Sequence, residues 1–274
     1  MFGKKSDKSI PDEFITSHEA WEGYVASIWY DLLMHYGLTP EDTLIEIAPG
    51  SSSKIGLALE RTSFEGVLYL VDPLSCALES VTDKYKRYLP KATIYSINAT
   101  LEDALDLLPR EPDFLLANHP LDDMLLATIS DSVTPDLFIC TSNRHRDHRL
   151  RLEGNPTIAI SEVVSCWQQA LNKLLPKATI LCQYPSLILR QNDIHSLNIY
   201  AEEIMESLKA CYPTALEPSY MLQKLLNEHE NYNDVHIGTE VLNAKNWMVL
   251  REVVHPSYPT HHPDINFKTK RILC

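Results

Sequence analysis

The chain has 274 residues, of which 45% are hydrophobic, and it carries a formal net charge of −13. This length and core content predict one large globular domain, or one domain with an insertion. The strong negative charge argues against broad, phosphate-driven binding of nucleic acid. No apolar run approaches the roughly 20 residues needed to cross a bilayer, so no membrane partner is expected.

Six cysteines are scattered along the chain without a CxxC pair, and the polar start of the sequence has no apolar signal-like segment. Both features predict a cytoplasmic protein with reduced thiols. Three histidines near the end, His255, His261 and His262, match no familiar metal-ligand spacing. No metal is therefore expected.

The first 37 residues predict a polar leader followed by a helix that covers the core. The leader spans 1–15, and a capping signature at 16–19 marks the expected start of the helix, which Gly37 ends. Apolar residues recur between these points at helical spacing. Tyr24 on this helix is a candidate for lining a substrate pocket.

The region from 38 to 184 predicts the α/β core. Short apolar runs that read as buried strands alternate with helical patterns, at 44–48, 66–72, 92–98, 113–118 and 136–141. Further strands are predicted at 178–184 and 246–254, which makes seven in all. This order predicts a doubly wound, mostly parallel sheet, with ligands bound at the carboxyl ends of the strands.

Residues 185–243 break the alternation and predict a helical insertion before the last strand, with helices near 196–211 and 219–229. The first of these helices carries an apolar stripe made of Leu197, Ala201, Ile204 and Leu208. The insertion is expected to be either a lid over the substrate or a contact in a homodimer, and the pattern does not separate the two. Residues 244–274 are expected to hold the last strand and a tail.

Polar and small residues gather where the predicted strands end. Small side chains at Ala48 and at 50–52 let the backbone approach a ligand, and the helix that follows begins with free N–H groups. Asp72 closes the second strand, where its carboxylate can accept two hydrogen bonds from vicinal hydroxyls. Asn98 follows the third strand, and its amide can both donate and accept hydrogen bonds.

These residues together resemble the class I S-adenosylmethionine-dependent methyltransferases. In that family the first strand carries an acid and then glycines at alternate positions, and the second strand ends in an acid that holds the ribose. Glu46 and Gly50 fit, whereas Ala48 and Ser52 stand where the family has glycine. The resemblance implies a Rossmann-like fold and S-adenosylmethionine as the cofactor, bound by Glu46, Ala48, Pro49, Gly50, Ser51, Ser52, Asp72, Pro73, Asn98, Ala99 and Asn118.

The resemblance further implies methyl transfer to a small molecule or a peptide. His119 is the candidate general base, and Asp122 is the second catalytic candidate unless it is only an acid in the first turn of a helix. Arg144 and His145 are candidates for clamping an acidic group of the substrate, or else belong to a solvated loop. Two alternatives stay open: aminocarboxypropyl transfer from the same cofactor, and a non-catalytic scaffold with a degenerate pocket.

Overall fold

The computed structural model describes residues 13–129, 155–185, 195–229 and 239–251. Strands and helices alternate through the first half of the chain, as the apolar pattern predicts. Two short 3-10 turns, Thr239–Leu242 and Ala244–Asn246, precede the last strand. The strands and α-helices are, in chain order, α1 (Glu13–His35), β1 (Thr43–Ile47), α2 (Lys54–Arg61), β2 (Val67–Val71), α3 (Ser75–Tyr88), β3 (Thr93–Ile97), α4 (Leu101–Ala104), β4 (Phe114–Asn118), α5 (Leu121–Ile129), α6 (Pro156–Leu174), β5 (Ala178–Cys182), α7 (His195–Cys211), α8 (Ser219–Asn227) and β6 (Trp247–Arg251).

The strands form one sheet in the order β3-β2-β1-β4-β5-β6. All neighbouring pairs are parallel except β5 and β6, which are antiparallel. Every residue of β4 and of β5 is buried, which is why both read as unbroken apolar runs. The predicted α/β class with a mostly parallel, doubly wound sheet is confirmed. The strand order reverses between β1 and β4, where such sheets bind ligands.

The described part of the chain contains six strands. The strand predicted at 136–141 lies outside the described residues, so the count of seven stays a prediction. Strand β4 pairs directly with β1 on one side and with β5 on the other. The unit that follows β4 in the sheet is therefore the strand at Ala178–Cys182, which lies much later in the chain.

Helix α1 covers one face of the sheet as expected, and Val25, Ile28 and Trp29 are fully buried. The predicted start at the capping signature is wrong, because the helix begins at Glu13. No glycine or proline lies between Glu13 and the signature, so nothing in the sequence stops the helix from extending backwards. The predicted end is confirmed by Gly37, whose φ of +84° suits glycine.

Along the chain, helices α7 and α8 follow β5 and precede β6, and their bounds are close to the predicted ones. The apolar stripe of α7 is buried in the same core cluster as residues of α5 and α6. All four of its members, Leu197, Ala201, Ile204 and Leu208, are at most 1% exposed. The stripe is thus part of the chain's own core and not an exposed interface. A lid or a dimer contact formed by other surfaces of 185–243 stays a prediction.

Gly56 allows α2 to pack closely against α3. A Cβ at this position would lie 2.3 Å from the ring of Tyr85, which is fully buried. We expect Gly56→Ala to lower the free energy of unfolding by about 1–3 kcal/mol, because the ring has no room to move. Urea denaturation measures the change.

Gly23→Ala in α1 is the matched control, since a Cβ there would meet no atom within 4 Å. The same substitution in an open helical position should stabilise the protein by about 0.5–1 kcal/mol. Opposite signs for the two variants support close packing at Gly56. A Gly56→Ala protein as stable as the parent would contradict it.

Candidate functional site

The turns that follow β1, β2 and β3 are joined by hydrogen bonds at one edge of the sheet, which we call the rim. The Asp72 carboxylate accepts the Gly50 N–H at 3.0 Å. The Asn98 side-chain amide donates to the carbonyl oxygens of Asp72 at 3.1 Å and of Pro73 at 2.9 Å. The structure therefore brings together residues that the sequence placed at the ends of three different strands.

The turn after β1 has the backbone conformation that favours glycine at two alternate positions. Ala48 has a φ of +50° and Gly50 a φ of +57°. Alanine in this conformation costs roughly 1 kcal/mol more than glycine. Ser52 is not among the described residues with positive φ, so serine is accommodated there without this strain. A Cβ added at Gly50 would meet nothing within 4 Å, which leaves open space beside the turn.

The remaining residues of the predicted cofactor set line this turn or lie beside it. Pro49 is buried and Ser51 is exposed. The Ser51 carbonyl accepts a hydrogen bond from the Lys84 ammonium at 2.7 Å. Ala48 and Ala99 are partly buried and pack against the edge of the core.

Helix α1 reaches the start of α2 through Glu22, which the sequence analysis did not identify. Its carboxylate accepts the Ser53 N–H at 3.4 Å and the Ser53 hydroxyl at 3.3 Å. The Ser52 hydroxyl lies 3.5 Å from the same carboxylate. Nothing local in the sequence marks Glu22, because its partners are about 30 residues away. The contact brings α1 against the rim.

Glu46 is a buried acid that accepts a hydrogen bond from the Tyr85 hydroxyl at 2.9 Å, its one side-chain partner among the described residues. It is 2% exposed. Burial raises the pKa of Glu46 to about 8, the Tyr85 hydrogen bond opposes this, and nearby Asp72 adds to it. The carboxyl is therefore mainly protonated at neutral pH. The sequence analysis does not identify this contact, although a buried tyrosine hydroxyl needs a partner.

Asp72 is 3% exposed and accepts two backbone hydrogen bonds, from Gly50 and, at 2.8 Å, from the Leu74 N–H. Burial raises the pKa of Asp72, and these two N–H groups oppose the rise. Each carboxylate oxygen can still accept a second hydrogen bond, which is what a ribose diol requires. The Asn98 amide uses its nitrogen within the rim, so its oxygen is the acceptor left for a ligand.

Asn118 ends β4 and is 8% exposed. Its side-chain oxygen accepts a hydrogen bond from the Trp29 indole N–H at 3.1 Å. This contact anchors α1 at the end of β4. The Asn118 amide nitrogen has no partner among the described residues and is the group that can donate to a ligand.

His119 has a φ of +66°, a conformation that is uncommon for residues other than glycine. Its backbone N–H donates to the Cys182 carbonyl, and its ring nitrogens bond the Asp122 carboxylate at 3.0 Å and the Tyr184 carbonyl. Both partners are acceptors. The two bonds together need a proton on each ring nitrogen.

The protonation of His119 agrees with its surroundings. Burial alone would lower the pKa of His119, but the Asp122 carboxylate raises it above its ordinary value. Gln183 completes the network by donating to Asp122 at 3.2 Å and accepting the Leu121 N–H at 2.8 Å. In this arrangement His119 has no free ring nitrogen for taking a proton from a substrate. The predicted role of a general base is therefore not supported by the geometry.

The predicted substrate residues fall in different places. The Tyr24 hydroxyl donates to the His229 carbonyl at 3.3 Å, so Tyr24 joins α1 to the end of α8. Arg144 and His145 lie outside the described residues, and their role as a clamp stays a prediction.

The described residues contain neither a metal-binding cluster nor a membrane-spanning helix. No group of three or more His, Cys, Asp or Glu side chains in the described ranges is arranged to hold a metal ion. Within those ranges, no helix has both the length and the apolar character needed to cross a membrane.

Comparison with solved structures finds methyltransferases among the similar proteins. Magnesium protoporphyrin IX methyltransferase from Synechocystis PCC 6803 with bound SAM is 12% identical, with 78% of this chain and 76% of that chain covered and a TM-score of 0.40. The CcbJ methyltransferase from Streptomyces caelestis is 14% identical, with 60% and 53% covered and a TM-score of 0.36.

A cyclopropane-fatty-acyl-phospholipid synthase-like protein from Lactobacillus casei is 11% identical, with 76% and 68% covered and a TM-score of 0.38. No family model and no curated protein matches the chain. The structural neighbours thus include methyltransferases, one of which holds bound SAM. TM-scores below 0.5 do not by themselves establish a shared fold, so the class of fold rests on the strand order and the direction of the strands.

Proposed function

We propose that the protein is an S-adenosylmethionine-dependent methyltransferase that acts on a small molecule or a peptide. The observation that carries the proposal is the hydrogen-bonded rim. It joins the left-handed turn at 48–50 to Asp72 and Asn98, at the carboxyl ends of three consecutive parallel strands. A cytoplasmic location and a homodimer stay predictions.

The residues of the rim fit the parts of this cofactor. Asp72 has oxygen lone pairs for the ribose hydroxyls, and the Asn98 amide oxygen can accept from the adenine amino group. The turn at 48–52 offers a backbone without bulky side chains to the methionine part. Asn118 has an amide N–H to donate.

The charge of the rim also favours this ligand over a nucleoside triphosphate. Asp72 is a buried acid at the turns after β1 and β2, and a carboxylate there favours hydroxyl groups or a positive ligand over phosphates. S-adenosylmethionine carries a sulfonium and an ammonium group. Glu46 is the acid placed to respond to such a charge, because an approaching cation favours its ionised form.

The bound cofactor would supply an electrophilic methyl group, and the protein's part is to hold the acceptor in line with it. His119 and Asp122 bond each other and Gln183, so they are engaged in fixing the end of β4. Positioning alone can supply a large share of such a rate increase when the acceptor is already nucleophilic. We therefore assign His119 and Asp122 a positioning role.

A second candidate is a methyltransferase-like protein that binds the cofactor without catalysis. The strained Ala48 and the absence of a free base at His119 favour it. Aminocarboxypropyl transfer is a third candidate that keeps the same pocket. The mass of the product separates the last from methylation, since methylation adds a single methyl group to the acceptor.

A thermal-unfolding panel tests the class of ligand. S-adenosylhomocysteine and S-adenosylmethionine at about 100 times Kd should stabilise the protein by about 2.7 kcal/mol, which is several degrees in Tm. ATP and NAD at the same concentration should stabilise it much less, because the Asp72 carboxylate at the turn disfavours phosphates. Stabilisation by ATP but not by S-adenosylhomocysteine would contradict the proposal.

A further inference from the structure

A row of aromatic rings lies beside the rim. Tyr24 and Trp21 on α1 have ring centroids 5.9 Å apart, Trp21 and Tyr184 are 6.0 Å apart, and Tyr184 and His119 are 4.6 Å apart. Tyr184 follows β5 by two residues, and His119 follows β4. All four residues are only partly buried, so part of the row faces solvent. Glu22, next to Trp21, bonds Ser53 and fixes the row against the turn after β1.

Lys54 contacts this row at Tyr184. It is the first residue of α2, and its ammonium donates to the Tyr184 hydroxyl at 3.1 Å and lies 5.9 Å from the centre of that ring. In the described ranges no carboxylate lies within ion-pairing distance of Lys54. Lys54 lacks such a partner although the Glu22 carboxylate lies in the same part of the structure, where it binds Ser53. The charge of Lys54 is available to an anion.

The surroundings of the rim also limit the kind of acceptor. The ring nitrogens of His119 are both engaged, Asp72 accepts two backbone hydrogen bonds, and Glu46 is buried against Tyr85. None of these groups is placed to remove a proton from an incoming alcohol or amine. An acceptor that arrives already ionised needs no such group.

We propose that the acceptor is a planar aromatic molecule that carries a carboxylate. Its ring packs against Trp21 and Tyr184, and its charged oxygen pairs with Lys54. This inference rests on the proposed methyltransferase function. A lone pair of the oxygen forms the new O–C bond while the C–S bond of the sulfonium breaks and leaves its electron pair on sulfur. The products are a neutral ester and a neutral thioether, and no proton is transferred.

Calorimetric titration with two aromatic probes tests the proposal. The probes are 2-naphthoate and 2-naphthamide, which share the ring but differ in charge, and each is titrated with and without S-adenosylhomocysteine. We expect 2-naphthoate to bind the parent protein. Lys54→Met should weaken 2-naphthoate at least about tenfold and leave 2-naphthamide unchanged, because only the charged oxygen uses the ammonium.

Two further variants separate charge from stacking. Lys86→Met, the same change at an exposed lysine of α3, should leave both probes unaffected. Trp21→Leu should weaken both probes, because it removes stacking area and not charge. We expect the affinity for S-adenosylhomocysteine to be unchanged in each variant, which would show that the rim is still folded.

The outcomes separate this inference from the proposed function. Binding of S-adenosylhomocysteine with no binding of 2-naphthoate at about 1 mM would overturn the aromatic-acid acceptor and keep the methyltransferase. Equal effects of Lys54→Met on both probes would also overturn it. Binding of 2-naphthoate without any binding of S-adenosylhomocysteine would contradict the proposed methyltransferase function, and therefore also the role of the aromatic acid as methyl acceptor.

Discussion

Replacing Glu46 with glutamine is expected to raise the free energy of unfolding, relative to the parent, by about 4–5 kcal/mol more near pH 9 than near pH 4, where the added buried amide N–H costs about 1–3 kcal/mol. The size follows from the pKa of Glu46, which is raised from an ordinary 4.5 to about 8, at about 1.4 kcal/mol for each unit. Glutamine keeps the shape of the neutral carboxyl and still accepts the hydrogen bond of Tyr85.

The direction of the effect follows from proton binding. Between about pH 4.5 and pH 8 the unfolded chain loses the Glu46 proton while the folded chain keeps it. Ionisation therefore favours the unfolded state progressively over this window. The glutamine variant has no proton to lose, so its advantage grows as the pH rises and levels off above the folded pKa.

Urea denaturation across this pH range measures the difference between the two proteins. Glu79→Gln, the same change at an exposed position of α3, controls for the substitution itself. Curves for Glu46→Gln and the parent that stay parallel from low to high pH would show that Glu46 is not held in its neutral form.

Asp72→Ala is expected to weaken the binding of S-adenosylhomocysteine at least about tenfold, or 1.4 kcal/mol, because the ribose hydroxyls lose a charged acceptor. It also leaves the N–H groups of Gly50 and Leu74 without their partner. Each unsatisfied donor costs about 1–3 kcal/mol, so the free energy of unfolding should fall as well. Calorimetry and urea denaturation measure the two effects.

Asp113→Ala is the matched control for loss of stability. The Asp113 carboxylate accepts the Thr43 N–H at 2.7 Å, at the opposite end of β1 from the rim. Its loss should destabilise the protein and leave the affinity for S-adenosylhomocysteine unchanged. If Asp72→Ala also bound the ligand with the parent's affinity, Asp72 would have no place in the site.

Much of the core was predictable from the sequence, because the spacing of the apolar residues indicates the strands and helices, and the polar residues indicate where the strands end. The near-continuous apolar run at 66–72 indicated a strand buried on both faces, and the runs at 113–118 and 178–184 indicated further strands of the same parallel sheet, with their carboxyl ends at one edge. Asp72, Asn98 and Asn118 were therefore predicted to share an edge before any coordinates. The hydrogen bond from Gly50 to Asp72 shows how close two of these turns come.

The contacts that define the site more finely were not predictable. Glu22 reaches Ser53 and Trp29 reaches Asn118 only because α1 crosses the sheet at a particular angle, which the spacing of apolar residues does not encode. The orientation of His119 depends on a positive φ, which is uncommon for residues other than glycine and which the sequence does not indicate. Its assignment as a base followed from residue type alone, and the acceptors around the ring are contributed by Tyr184, just after β5, and by Asp122 of α5.

The stripe on α7 was ambiguous for a related reason. An apolar face at helical spacing predicts burial, but not whether the burial is within one chain or between two. Here α5 and α6 pack against the apolar face of α7, and Leu197 and Leu208 are fully buried.

Calorimetric titration of the parent protein with S-adenosylhomocysteine tests the central claim most directly. The proposed rim predicts saturable binding of one ligand for each chain, with a Kd in the micromolar range, near −8 kcal/mol. Absence of heat and of any shift in Tm at millimolar ligand would contradict an adenosyl pocket at Glu46, Gly50 and Asp72.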